Sequence, residues 1–208
     1  MVDLKEPKMM LRDLSGEKLD EVHGRGYYDY LDDPEYVDNV LGCAARMIVE
    51  HAGQNAVVLD AGCGAGALGL SLPESVEYIG FDSSKVAISK ANMFLRNRER
   101  WTTIVSRIEE FCDLTFLGIE FCDAVHFGNV LYCLIQPDAR IPFVEKYVER
   151  FQPRFLVISE LECFDSTPLK ERFELLEGET FHLKIPGVSK VKNRRKVEIY
   201  RTGVKRDG

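Results

Sequence analysis

Seven consecutive residues, Asp60-Ala61-Gly62-Cys63-Gly64-Ala65-Gly66, carry the densest chemical signal in the chain. They follow the apolar run Ala56-Val57-Val58-Leu59 and put glycine at every second position. Glycine accepts positive φ and has no side chain to hold a ligand off the backbone, so something must approach this loop closely. A helix starting behind it would offer free N–H groups to negative charge, and a carboxylate suits that place. Asp60 stands directly ahead of the glycines. It would repel a pyrophosphate and attract an ammonium group, directly or through water. The spacing Gly62-x-Gly64-x-x-Ala67 also fits a dinucleotide fingerprint, so the glycines alone leave a nicotinamide cofactor open. Asp60 points instead to a zwitterionic ligand.

Further candidates for chemistry lie downstream. His126 sits in the apolar stretch Cys122 to Phe127 and is either a proton acceptor or a hydrogen-bonded core residue. Glu160 follows the apolar run Phe155-Leu156-Val157-Ile158, at the carboxyl edge where open α/β sheets bind ligands. It is either a base or polar anchor for a substrate, or a solvated loop acid. Near the N-terminus, Gly24-Arg25-Gly26-Tyr27-Tyr28-Asp29-Tyr30 gathers aromatic rings able to face a cation.

Placing these residues requires an α/β framework. Short apolar runs near 56–60, 77–82, 102–107, 121–127 and 154–159 alternate with helical patterns near 65–71, 84–98, 137–150 and 168–177. That alternation predicts a parallel sheet. The runs at 56–59 and 155–158 are apolar throughout, as strands covered on both faces must be. Upstream, Asp33-Pro34-Glu35 resembles a helix start, and an apolar stripe from Tyr36 to Val49 runs to a terminator at Gly53. Beyond residue 178, Thr180 to Ile185 and Lys196 to Arg201 flank the turn signal Pro186-Gly187, predicting an antiparallel pair.

In this setting the chain resembles the class I S-adenosyl-L-methionine-dependent methyltransferases, whose first motif is an acid followed by alternating glycines after strand one. The resemblance implies a three-layer α/β sandwich around a mostly parallel seven-stranded sheet of order 3-2-1-4-5-7-6, the last strand antiparallel, with an N-terminal helical lid. One domain is expected, with residues 1–33 as the lid region and 34–208 as the core. Cofactor contacts are implied for Asp60, Gly62, Cys63, Gly64 and Gly66. In the family the second strand ends in an acid that binds the ribose hydroxyls, and Tyr78-Ile79-Gly80-Phe81-Asp82 ends in one, with Ser83 beside it. A carboxylate suits that role because its two oxygens accept from a vicinal diol. The competing role for Asp82 is a helix cap.

By the same resemblance, Ile108 (through its backbone) and Glu109 border the adenine, although Arg107 stands where many members have an acid. Phe127 flanks the methionine moiety, and Tyr27 or Tyr28 faces the sulfonium. Asn129 and Tyr132 point at the acceptor, with Tyr132 packing as the alternative, and His126 or Glu160 serves as base. The paired-proline tetrapeptide of many amino-methyltransferases is missing, as is a carboxylate set for a metal-dependent member, so no metal is expected.

Composition sets the outer bounds. A 45% hydrophobic and 29% charged chain of 208 residues is that of a soluble globular protein. Six scattered cysteines form no C-x-x-C pair, and no signal peptide or membrane-length apolar run appears, so a reduced, cytoplasmic protein is expected. The net charge of −7 disfavours general nucleic-acid affinity. Yet nine Lys or Arg from His182 onward face only Glu198 and Asp207. That basic end is either a solvated hairpin or a docking site for an anionic substrate, RNA or protein. A small-molecule acceptor is the leading expectation, with RNA or protein methylation and a dinucleotide-dependent oxidoreductase as alternatives. Oligomeric state is not legible.

Overall fold

The computed structural model describes residues 20–21, 34–113, 118–183 and 194–204. Tyr27 and Tyr28 lie outside the described residues, as do Asp33 and the Pro186-Gly187 turn.

Seven strands make one sheet: β1 (Val57–Ala61), β2 (Glu77–Asp82), β3 (Trp101–Val105), β4 (Ala124–Gly128), β5 (Phe155–Leu161), β6 (Glu174–His182) and β7 (Arg194–Arg201). Their spatial order is β3-β2-β1-β4-β5-β7-β6, as expected. β1 to β5 are parallel, and β7 runs antiparallel to both β5 and β6. The helices are α1 (Gly42–Ala52), α2 (Ala67–Ser71), α3 (Lys85–Leu95), α4 (Leu131–Leu134), α5 (Arg140–Phe151) and α6 (Thr167–Arg172). A π-helical stretch, Tyr36–Leu41, leads directly into α1, and Gly53 at φ 99° ends it. The Ser84 hydroxyl caps α3, accepting from Ala87 N at 3.1 Å.

Each face of the sheet has its own core, because side chains alternate across a strand. On one face Val40, Ala44 and Ile48 pack with Val58, Val157, Val197 and Ile199. On the other, Phe143, Tyr147 and Phe151 of α5 cover Leu59, Phe81, Phe127 and Ile158. The Phe127 and Tyr147 rings meet edge to face, 5.0 Å apart. Such contacts add about 0.5–1.5 kcal/mol beyond the area they bury.

One element differs from the sequence reading. The helix expected over 168–177 stops at Arg172, and β6 starts at Glu174. Pairing with β7 captures this stretch, with a register irregularity between Leu175 and Glu177. Strand pairing with an existing sheet edge thus overrides a helical pattern less than three turns long. Among the described residues no helix is long and apolar enough to cross a membrane, and no group of acids, histidines and cysteines forms a metal site. Cys43, Cys63, Cys122 and Cys163 are free thiols.

Candidate active site

The glycine loop is built at the carboxyl end of β1, where the first N–H groups turn back onto β2. Gly62 N and Cys63 N both donate to Phe81 O, at 2.9 and 3.0 Å. Gly64 N donates to Asp82 Oδ2 at 3.0 Å, and Asp82 Oδ1 accepts from Ser84 N at 2.8 Å. Asp82 therefore ties the loop to the start of α3, and Ser84 rather than Asp82 is the α3 cap. Ser83 lies half-buried between them. All three loop glycines hold positive φ, at 75°, 53° and 79° for Gly62, Gly64 and Gly66. Their surroundings differ. A Cβ on Gly62 would come within 2.6 Å of Val130 Cγ2, and one on Gly66 within 3.0 Å of Leu95 Cδ1. A Cβ on Gly64 would meet nothing within 4 Å, so Gly64 is the point where the loop opens outward.

Beneath the loop, four side chains from four adjacent strands form one buried polar chain. Tyr78 OH donates to Asp60 Oδ2 at 2.8 Å, and His126 Nδ1 lies 2.7 Å from Asp60 Oδ1. His126 Nε2 lies 3.0 Å from Ser159 Oγ. A carboxylate oxygen only accepts, so Nδ1 carries a proton, and in the neutral ring Nε2 then receives the Ser159 hydroxyl. The register makes this possible, since Asp60 stands between Gly80 and His126. Gly80 and Gly128 clear the space: a Cβ would fall 2.8 Å from Tyr78 OH in one case and 2.7 Å from His126 Cε1 in the other. Burial, with Asp60 and Asp82 nearby, pushes the Cys63 thiol well above its ordinary range, and burial beside Asp60 does the same to the Tyr78 phenol. Neither is a nucleophile at neutral pH. The Ser-His-Asp sequence of bonds matches a hydrolase relay in form, but Ser159 is 1% exposed and no substrate carbonyl can reach it.

The carboxyl edges of β4, β5 and β7 hold the remaining candidates. Asn129, at φ 57°, leaves β4 in the left-handed region, with its N donating to Ser159 O at 2.8 Å. Its Nδ2 donates to Tyr36 OH at 2.9 Å, and its Oδ1 accepts from Arg195 Nη1 at 3.1 Å. Glu160 is fully buried. Its Oε1 accepts from Leu131 N at 2.7 Å and Tyr132 N at 3.3 Å, at the start of α4. Its Oε2 has no hydrogen-bond partner among the described residues. Burial raises the Glu160 pKa to about 8, opposed in part by those two N–H groups and by Arg195 and Arg140. Tyr132 is 40% exposed.

Several residues sit elsewhere than their sequence neighbourhood implied. His126 is 2% exposed with both ring nitrogens engaged, so it lies in the interior rather than at the edge. Phe127 is fully buried and faces α5 within the second core. Asp60 is 3% exposed, and each of its oxygens has an internal partner. The Ile108 carbonyl accepts from Tyr147 OH at 2.7 Å, and Glu109 is exposed, 3.5 Å from Arg107. Tyr36, Tyr78, Ser159, Arg140 and Arg195 were not singled out by sequence, and only Gly80 and Gly128 hinted at the crowding. Asp20 is another: its Oδ1 accepts from Ser84 Oγ at 2.7 Å and Val86 N at 3.2 Å, beside Asp82.

Residues 52–165, more than half of the chain, match the family model described as a methyltransferase domain. The chain belongs to the class I S-adenosylmethionine-dependent methyltransferases. That assignment overturns the dinucleotide-oxidoreductase alternative. Among solved structures, this methyltransferase is similar to the N-methyltransferase NodS from Bradyrhizobium japonicum WM9 in complex with S-adenosyl-L-homocysteine. The TM-score is 0.68 at 18% identity, covering 83% of this chain and 90% of that one. A second match is the 1,6-didemethyltoxoflavin-N1-methyltransferase of Burkholderia thailandensis, at TM-score 0.63 and 16% identity over 97% of each chain. A putative RNA methyltransferase, PH1948 from Pyrococcus horikoshii, also matches, at 0.60 and 16% over 78% of this chain and 81% of that one. No curated protein matches the chain by sequence. The residues present fit the family's cofactor. Gly64 opens the loop outward, and the Asp82 carboxylate stands beside it at the end of β2, the side on which a ribose diol would be received.

Proposed function

We propose that this methyltransferase moves a methyl group onto an O or N atom of a small metabolite or natural product. The observation that carries the choice of a small acceptor is the state of the four basic residues described at the basic C-terminal end; the other five lie outside the described residues. Every cation between residues 194 and 204 is engaged by the chain itself: Arg194 by Glu162 at 3.0 Å, Arg195 by Asn129, Lys196 by Ser166 and Glu198, and Arg201 by Glu174 at 2.7 Å. Phosphate docking needs cations whose counterions are mobile, whereas Arg194, Lys196 and Arg201 are already paired with carboxylates and Arg195, 5% exposed, is held inside by Asn129. The similarity to the Burkholderia thailandensis N-methyltransferase, which holds the small molecule 1,6-didemethyltoxoflavin, supports the same reading.

In this reading the bound cofactor supplies an electrophilic sulfonium methyl. Gly62, Cys63, Gly64 and Gly66 form the floor beneath its amino-acid end, and Asp82 receives the ribose diol with Ser83 beside it. Ile108 and Glu109 border the adenine. Asn129 and Tyr132 line the acceptor side, with Asn129 held in its left-handed backbone by Ser159, Tyr36 and Arg195. Positioning supplies most of the acceleration, an effect worth up to about 7–11 kcal/mol. Where the acceptor is a hydroxyl or ammonium, Glu160 serves as base once α4 moves off its buried Oε2 and the pH reaches the raised pKa of about 8, where the carboxylate is ionised. His126 acts as a brace that holds Asp60 and Ser159 rather than as the base.

Incubation with methyl-labelled cofactor and a fractionated extract of the source cell tests the reading. Label is expected in the low-molecular-mass fraction. Label recovered only in RNA or protein would replace the small-molecule acceptor with a macromolecular one.

A further inference from the structure

Arg140, the first residue of α5, spends only part of its guanidinium on the chain. Its Nε donates to Leu131 O at 2.9 Å and to Ile135 O at 3.3 Å, holding α4 in place. Its terminal Nη groups make no hydrogen bond or ion pair among the described residues. The same guanidinium lies 5.1 Å from the centroid of Phe164 and 5.8 Å from that of Tyr132. Beside it is a cleft of about 140 Å³ lined by Pro137, Arg140, Ile141, Phe164, Pro168 and Leu169. An apolar cavity of roughly that size is known to take a benzene ring.

The other charges around the cleft are Asp165, a carboxylate held ionised mainly by Thr167 and also by the field of Lys196 and Arg140, and Lys196, which has its own partners. Asp165, also on its rim, accepts from Thr167 N at 3.0 Å. Lys196 Nζ donates to Ser166 Oγ at 2.9 Å and lies 3.4 Å from Glu198, which also pairs with Lys170 at 2.8 Å. The Arg140 terminal N–H fork makes no direct ion pair with Asp165 and is the donor set left for a ligand, which must bind it against the Asp165 charge on the same rim. Its planar, bidentate geometry matches a carboxylate or phosphate, and the proline and aliphatic walls suit an apolar or aromatic body behind that anion.

We propose that this cleft is the recognition subsite for an anionic group, a carboxylate or phosphate on a flat apolar body, carried by the methyl acceptor. The assignment to an acceptor rests on the small-molecule reading above. The geometry supports it because Arg140 touches both the cleft and α4, which begins two residues beyond Asn129 and carries Tyr132. Acceptor selection would then act through one side chain that both binds the anion and sets the wall of the methyl-transfer site.

The test uses the full chain saturated with S-adenosylhomocysteine and titrated separately with benzoate, phenyl phosphate and neutral benzamide, following backbone amide resonances of Ile141 and Leu169. One of the two anions is expected to give saturable shifts with Kd on the order of 1 mM, and benzamide to bind about tenfold more weakly or worse. Which anion binds more tightly separates a carboxylate from a phosphate source. Arg140→Gln should weaken the anion about tenfold or more. Ile141→Trp, which fills the cleft without touching the guanidinium, should abolish saturation and decides the matter if Arg140→Gln does not fold. Equal response to benzamide, undiminished anion binding in either folded variant, or no saturation by either anion overturns the proposal. Anion binding by a protein that fails to bind S-adenosylhomocysteine would overturn the methyl-transfer reading and leave the anion site standing.

Discussion

Replacing Glu160 with Gln removes a buried titrating group while keeping its shape and the oxygen that accepts from Leu131 N and Tyr132 N. The folded-state pKa of Glu160 is raised from 4.5 to about 8, chiefly by burial. Below pH 4.5 both folded and unfolded chains hold the proton. Between 4.5 and about 8 the native state keeps a proton that the unfolded chain has lost, so stability falls as pH rises across that window. Above it both states are ionised and the native state bears the whole desolvation cost. At about 1.4 kcal/mol per pKa unit the full displacement corresponds to about 5 kcal/mol. Water entry and relaxation of α4 return part of it, leaving on the order of 2–5 kcal/mol. Urea unfolding of wild type and Glu160→Gln at pH 5, 7 and 9 measures this directly. The wild type should lose stability relative to the variant by that amount between pH 5 and 9. Parallel pH profiles would refute the reasoning, because they would mean that Glu160 does not retain its proton in the folded protein. In turnover at pH 8 to 9, where Glu160 is ionised, loss of the base by Glu160→Gln should cost on the order of 10²–10⁴ in rate with cofactor affinity unchanged, and an unchanged rate would leave Glu160 as a brace of α4.

Asp82→Ala should weaken S-adenosylhomocysteine by about 100-fold or more in calorimetry, since it would remove the charge-assisted contacts to the ribose proposed for this carboxylate and releases Gly64 N and Ser84 N. Unchanged affinity in a folded variant would confine Asp82 to tying the loop to α3. Gly64→Val should abolish cofactor binding, because a β-branched residue resists φ 53° and would fill the open face of the loop. Gly128→Ala places a Cβ 2.7 Å from His126 Cε1 and should cost about 1–3 kcal/mol of stability in thermal unfolding. A neutral effect there would mean that the His126 ring can shift without loss.

The order of elements was legible because it rests on local rules. Continuous apolar runs marked the buried strands, glycine punctuation marked the loop after β1, and an acid at the end of β2 stood where a ribose contact is expected. What the tertiary structure decided depends on which strands lie side by side and which way each residue faces. Alternation along β4 requires His126 and Phe127 to face opposite ways, but only packing against α5 assigned Phe127 to the second core and His126 to the side of Asp60. Tyr78 and Ser159 are ordinary strand residues in sequence, and they joined Asp60 and His126 because parallel register brings four distant segments to one level. The same holds for Glu160, an acid at the expected edge whose chemistry was set by the closure of α4 over it. Burial, unlike spacing, is a property of the assembled chain: it raises the pKa of this carboxylate by excluding water that no neighbour in sequence could have excluded.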